Sequence, residues 1–314
     1  MAIAVRNLTK KYGSQTAVDN ISFDVRTSEI LGFLGPNGAG KTTTMKILTC
    51  YMPPNAGTVE VDGLDIADRS LDVRRKIGYL PEMNPLYTDM NVLEYLDYAS
   101  RLHGLKEADI PGRIKEMVDV CGLGDVRHKD IGELSKGYRQ RVGLAQAMIH
   151  DPDVLIMDEP TSGLDPNQIV EIRNLIKRLG RQKTVILSTH ILSEVQATCD
   201  RVLIINEGKI VADGSPQALQ REFTGAESLT LQLKTGATDP VEQIVPKLKI
   251  IAYVNAVTLK DHQEGISTFE IQVDKGQDIR EAAFRLAVSE NWVILEMHRA
   301  TTSLEEVFHK LTTA

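Results

Sequence analysis

The run Gly35-Pro36-Asn37-Gly38-Ala39-Gly40-Lys41-Thr42-Thr43 sets glycines, a lysine and hydroxyls at the spacing of a phosphate-binding loop, G-x-x-x-x-G-K-[ST]. Each residue type has a reason. Backbone N–H groups must point inward at phosphate oxygens, which requires unusual backbone angles and no Cβ in the way. Lys41 supplies a point charge to the β and γ phosphates, and the Thr42 hydroxyl can ligate Mg2+. A second run, Val154-Leu-Ile-Met-Asp158-Glu159, reads as a buried strand ending in two acids. An aspartate at the carboxyl end of a parallel strand beside such a loop is placed to hold Mg2+. Glu159 would then face the γ-phosphate and could polarise an attacking water as general base. Taken alone, the two acids could equally be surface residues opening a loop.

These groups need a scaffold. Glu29–Leu34 reads as a short strand running into the glycine-rich turn, and Lys41–Thr49 as a helix whose N-terminal dipole favours anions. Apolar strands return at Val154–Met157, Val185–Leu187 and Val202–Ile205, with helices between them such as Asn167–Leu179. Strand, crossover helix, strand implies a parallel sheet covered on both faces. Residues 1–30 alternate apolar and polar and predict an antiparallel edge; residues 86–150 recur at helical spacing and predict a helical insertion. The fold class is therefore α/β, with a parallel core, an antiparallel β edge and an inserted helical region.

The pattern shifts after Gly214-Ser-Pro216 and Gly225. It predicts a strand at 229–234, a helix at 239–248, strands at 251–260 and 267–273, a helix at 277–289, a strand at 292–299 and a last helix at 303–312. That order resembles a split βαβ, ferredoxin-like α+β unit. Two domains are expected, 1–224 and 225–314, the second an accessory or regulatory domain. Phe269-Glu-Ile-Gln-Val273 predicts a sheet with one buried face, which a helix would cover through Ala282, Phe284, Leu286 and Ala287.

Composition narrows the function classes. The net charge is −7, against the basic face expected of a nucleic-acid binder. Cys50, Cys121 and Cys199 stand far apart with no C-x-x-C, so inert thiols in a reducing cytosol are expected. The apolar runs are short, whereas a spanning helix needs about 20 apolar residues. No membrane span and no secretory signal are expected.

Further residues fall into an ordered set. Leu134-Ser135-Lys136-Gly137-Tyr138 resembles the LSGGQ-type signature of ABC ATPases, and opens a helix read as Val142–Met148. Ser162-Gly-Leu-Asp165 resembles the D-loop of that family, His190 its switch histidine and Tyr12 its adenine-stacking aromatic. Gly78-Tyr-Leu-Pro-Glu82 lies where its Q-loop should be. Order and spacing agree over roughly residues 3–220. Lys136 and Tyr138 depart from the usual glycine and glutamine, and Glu82 replaces the usual Q-loop glutamine. Glu82 could ligate metal or turn away. Glu82 and the altered signature resemble the ABC-2 exporter branch; Leu134–Gln168 resembles its gliding-motility-associated members, and Leu304-Glu-Glu-Val-Phe308 resembles that branch's ATPase subunits.

The resemblance implies an ATPase working as a head-to-tail dimer with ATP and Mg2+ at the interface. Ser135 and Gly137 would act on the partner's ATP, His190 would contact the γ-phosphate and Asp165 would link the two sites. It also implies a separate transmembrane permease, docked at about residues 80–105 where Tyr79, Leu86, Tyr87, Tyr95 and Tyr98 cluster, with the chain peripheral on the inner membrane face. The rivals are a soluble ABC ATPase acting on nucleic acid or ribosomes, which would show a coiled-coil insertion or two nucleotide domains, and a P-loop kinase, which leaves the signature and His190 unexplained.

Overall fold

The computed structural model describes residues 1–223, 227–234, 241–263, 265–274, 276–300 and 304–312. The alternation at the N-terminus becomes an antiparallel pair, β1 (Ile3–Tyr12) and β2 (Gln15–Val25). After β3 (Ile30–Leu34) and α1 (Lys41–Leu48), the chain adds β4 (Ala56–Val61) and the short β5 (Leu64–Asp65), and these complete a four-stranded sheet in the order β2-β1-β4-β5. Next come α2 (Ser70–Lys76) and β6 (Ile77–Leu80), then the helical region: α3 (Val92–Leu102), α4 (Ile110–Cys121) and α5 (Lys136–Met148). The chain then alternates strand and helix: β7 (Val154–Asp158), α6 (Pro166–Gly180), β8 (Thr184–Thr189), α7 (Leu192–Thr198), β9 (Arg201–Asn206). It ends this run with β10 (Lys209–Gly214) and α8 (Pro216–Phe223).

The central six-stranded sheet runs β10-β9-β3-β8-β7-β6, parallel except where β10 pairs with β9. β3, β7 and β8 are buried along their whole length. A parallel sheet covered on both faces has no wet side, which is why these strands read as unbroken apolar runs rather than alternating ones. The core between this sheet and the β1–β2 sheet holds Val5, Leu8, Phe23, Phe33 and Met45, with the Phe23 and Phe33 rings 5.6 Å apart.

Met1–Pro216, together with the chain from Leu311 onward, forms one compact unit and Gln217–Lys310 a second. The second contains β11 (Glu227–Lys234), α9 (Val241–Lys249), β12 (Val254–Gln263), β13 (Ile266–Val273), α10 (Arg280–Ser289) and β14 (Val293–Ala300), followed by α11 (Leu304–Thr312). Its sheet runs β12-β13-β11-β14, antiparallel at every pairing. That is the split βαβ arrangement expected from the order of elements. Phe269, Ile271 and Val273 are buried as the alternation requires. The helix above them departs from expectation. Ala283 and Ala287 are buried, and Leu286 packs beside them, but Ala282 is exposed and Phe284 is 55% exposed. The helix begins at Arg280 after Ile279, and its core stripe is Ile279, Ala283, Leu286 and Ala287, a rotation that leaves Phe284 outside. Residues 239 and 240 of the expected helix lie outside the described residues.

Candidate functional site

The parallel strands end together. Register pairs Leu34 of β3 with Thr189 of β8, Asp158 of β7 with Ser188 of β8, and Leu80 of β6 with Met157 of β7. The glycine-rich loop, the acid pair and His190 therefore leave one carboxyl edge of one sheet, where open α/β sheets bind ligands.

From β3 the chain turns through Gly35–Gly40 into α1. Gly40 has φ 109°, in the left-handed region, and a methyl there would lie 2.4 Å from the Ala17 carbonyl oxygen, so only glycine fits. No side chain caps the first turn of α1, which leaves its N–H groups to a ligand. Ala39 is buried, with its carbonyl accepting from Gly208 N–H at 3.0 Å, which ties the loop to the turn between β9 and β10.

The Lys41 side chain is 6% exposed. Its ammonium donates to the Gly35 carbonyl at 2.8 Å and to the Pro36 carbonyl at 3.2 Å, and lies 3.6 Å from Glu159 Oε1. Glu159 stands just past β7 with φ 49°, a conformation that carries strain for a residue with a side chain. Its N–H donates to both the Ser188 hydroxyl (3.1 Å) and the Ser188 carbonyl (3.2 Å), which holds that conformation. Its Oε2 is 2.9 Å from His190 Nδ1. One carboxylate thus bridges the lysine of the phosphate loop and the histidine after β8. The Ser188 hydroxyl donates to Asp158 Oδ1, while Asp158 Oδ2 is buried with no partner among the described residues.

A cavity of about 430 Å³ opens at this edge. Asn37, Gly38, Gly40, Lys41, Thr42 and Thr43 line it from the loop and α1. Glu82, Glu159, Ser162 and His190 line it from the other strands, and Ala17 from β2. Of the lining residues, Ala17 was not marked by sequence reasoning, and neither was Ser188 behind the wall. Ser188 could have been found, since it stands two residues before His190 at the end of a predicted strand. Ala17 carried no signal.

Other expected residues stand apart from the cavity. Tyr12 ends β1 about half exposed; its hydroxyl donates to Met52 Sδ at 3.0 Å and Lys10 Nζ lies 5.7 Å from its ring centre. Ser135–Tyr138 do not line the cavity either. The signature helix starts at Lys136, not Val142, because Ser135 caps it: the Ser135 Oγ accepts from Tyr138 N–H at 3.4 Å. Ser135 and Lys136 are exposed; Gly137 is buried beneath the Gln168 side chain, 2.6 Å from where a methyl would sit. Lys136 Nζ lies 2.2 Å from where a methyl on Gly163 would sit, so the signature rests on the Ser162–Asp165 loop of its own chain. Asp165 caps α6, its Oδ1 accepting from Gln168 N–H at 2.9 Å.

In the tyrosine cluster, Tyr95 is buried and Tyr87 is 51% exposed, with its ring edge-on to Tyr95 and Tyr98 at 6.0 and 5.4 Å. Beyond the end of α5, His150 stacks on His103 at 3.9 Å, and its Nε2 lies 3.1 Å from the Ile77 carbonyl. Burial, helped by His103, pulls the His150 pKa down to about 4.

The comparisons agree with this geometry. The family model described as ABC transporter matches residues 18–162. The uncharacterized ABC transporter ATP-binding protein YxlF of Bacillus subtilis is 35% identical over 313 residues, covering 99% of this chain and all of its own length. The Nod factor export ATP-binding protein I of Burkholderia orbicola is 37% identical over 230 residues, 73% of this chain and 76% of its own. The dimeric post-hydrolysis structure of the ATP-binding cassette MJ0796, bound to ADP and Pi, superposes with a TM-score of 0.62 at 25% identity, over 68% of this chain and 98% of that one. A phosphate loop, an acid pair and a histidine gathered at one sheet edge, in a chain alike to YxlF from end to end, place this protein in the ABC transporter ATP-binding family, whose members bind and hydrolyse ATP.

Proposed function

We propose that this chain is the ATPase subunit of an ABC-2 type exporter, working as a head-to-tail homodimer against a separate transmembrane permease. The observation that carries the reading is a division of labour inside one chain. Gly38, Lys41, Thr42, Glu159 and His190 share a cavity, whereas the signature residues Ser135–Tyr138 lie off it, on the start of α5. A site so divided is completed by the signature of a second copy, and the dimeric MJ0796 cassette supports that assembly.

In this reading the loop Gly35–Thr43 and Lys41 hold the β and γ phosphates. Thr42 and Asp158 would hold Mg2+; the buried, unpartnered Asp158 Oδ2 fits, since hard oxygen donors suit that cation. Mg2+ supplies neutralisation of the charge on the β and γ oxygens. Glu159, already oriented by His190 and Lys41, takes a proton from the attacking water. His190 contacts the γ-phosphate, and Asp165 links the two sites through the first turn of α6. Across the interface, Ser135, Lys136, Gly137 and Tyr138 meet the partner's ATP. Tyr12, about half exposed at the end of β1, would stack on adenine.

Export is supported by the Nod factor export relative. A permease in another chain fits a molecule in which no helix among the described residues is long and apolar enough to cross a membrane. The chain would then sit on the inner membrane face, docked near Tyr79–Tyr98, with Gln217–Lys310 as an accessory or regulatory unit. The test is ATP-dependent assembly. Glu159→Gln with MgATP should double in mass by light scattering, and a monomer at saturating ATP refutes the homodimer.

A further inference from the structure

Glu82 stands two residues beyond β6 and lines the nucleotide cavity beside Thr42, Glu159 and His190. It is exposed, and no hydrogen bond or ion pair engages it among the described residues. The charge around it is lopsided. Lys41 is the ammonium of the cavity, and it is already held by two carbonyls and Glu159. His190 is tied to Glu159 as well. Against one lysine stand Glu82 and Glu159 on the wall and Asp158 behind it, the last with one buried oxygen unpartnered. A triphosphate adds several more negative charges to the same small space. At an exposed cavity wall the effective dielectric is intermediate, but a carboxylate sharing that wall with a triphosphate is still repelled by it unless a cation lies between them.

We infer that Glu82 makes nucleotide binding conditional on the divalent cation: it repels free ATP and favours ATP that arrives with Mg2+. The inference rests on the nucleotide reading above and concerns a residue that could have been a neutral amide without loss of reach. A carboxylate is a hard donor suited to Mg2+ or to the waters it keeps, so its charge works in opposite directions with and without the metal. Linkage makes the effect reciprocal: whatever factor Mg2+ adds to ATP affinity, ATP adds to Mg2+ affinity. Glu82 therefore acts on the ratio between metal-free and metal-loaded ATP affinity, which is the coupling itself.

The measurement is ATP affinity by calorimetry at saturating Mg2+ and again in excess EDTA, for the native chain, Glu82→Gln and Glu82→Ala. Glutamine keeps the size and removes the charge; alanine removes both. Both variants should bind metal-free ATP more tightly than the native chain. The ratio of metal-free to MgATP dissociation constants should fall by about tenfold, within the usual range of couplings between sites. A fall smaller than about fivefold in both variants overturns the inference even if all three proteins bind MgATP well. Failure of the native chain to bind MgATP at all overturns the nucleotide reading itself, and the inference with it. The readout is binding, so a change in turnover cannot imitate it.

Discussion

Two helices of this protein begin beside nucleotide-binding sequence, and they begin differently. At α1 the capping residue is Gly40, with a positive φ and no side chain to satisfy the first N–H groups. At α5 it is Ser135, which turns its own hydroxyl onto the Tyr138 N–H. The lysines that follow differ in the same sense. Lys41 is buried and held on three sides, whereas Lys136 is exposed and lies across Gly163. The first helix is left incomplete where an anion must enter, and the chain builds the rest of that pocket itself. The second is closed locally and presents an outer face to whatever arrives. On the proposed reading, the contrast separates two halves of the chemistry: phosphate binding prepared within the chain, and completion of the site from outside it.

The strongest way to break the comparison is through the pocket side. Glu159→Gln removes the proposed general base and keeps the size of the side chain. Turnover should drop by about 10²–10⁴-fold while ATP affinity stays within about threefold. Steady-state phosphate release and calorimetry together check this; near-native turnover would sink the assignment. Lys41→Ala should weaken MgATP binding by roughly 100-fold, as expected for losing a charge-assisted phosphate contact from a buried lysine. Unchanged affinity would mean that the loop amides suffice.

Gly40→Ala probes the geometry rather than the charge. Its methyl must clash with the Ala17 carbonyl at positive φ, so the folded state should lose about 1–3 kcal/mol, read by denaturant unfolding.

On the signature side, two substitutions of one residue sharpen the comparison. Ser135→Ala removes the cap and should cost about 1 kcal/mol, with ATP binding to the monomer intact. Ser135→Asp caps as well as serine, so stability should hold, but its charge would face the partner's phosphates and ATP-driven dimerisation should fail. Dimerisation of the aspartate variant in light scattering would show that the outer face of α5 does not meet nucleotide. Gly137→Asp is a poorer test, because its side chain would strike Gln168 first.

The smallest effect is set by pH at the far end of α5. His150 is held neutral down to about 4, below the ordinary histidine value of 6.5. Between those values the unfolded chain binds the extra proton and the folded chain does not, so stability should rise with pH across the window from about 4 to 6.5. Replacing His150 with glutamine should flatten that part of the stability–pH profile, and an unchanged slope would place the dependence elsewhere.

Much of the site could be read directly. The residues of the phosphate loop are dictated by the ligand's shape and charge, so Gly35–Thr43 declare themselves in any context. Asp158 and Glu159 follow an apolar run that can only be a buried strand. In these segments the chemical requirement lies in consecutive residues, and local sequence decides the outcome. The ferredoxin-like order of the second unit was legible for the same reason, although the face of α10 was not: three turns of mixed alanine and apolar residues allow more than one stripe, and packing chose Ile279 and Ala283 over Phe284.

The tertiary structure decided what depends on strand order. Only the sequence β3-β8-β7 across the sheet brings Lys41, His190 and Glu159 together and sets Ser188 behind the acid pair; the packing of the β1–β2 sheet against it brings Ala17 to the loop. It also laid Lys136 on Gly163. No periodicity encodes such contacts. Residue types along one strand or turn fix local geometry, but which strands become neighbours follows from burying all their faces at once, a condition satisfied by the whole sheet and by no single segment of it.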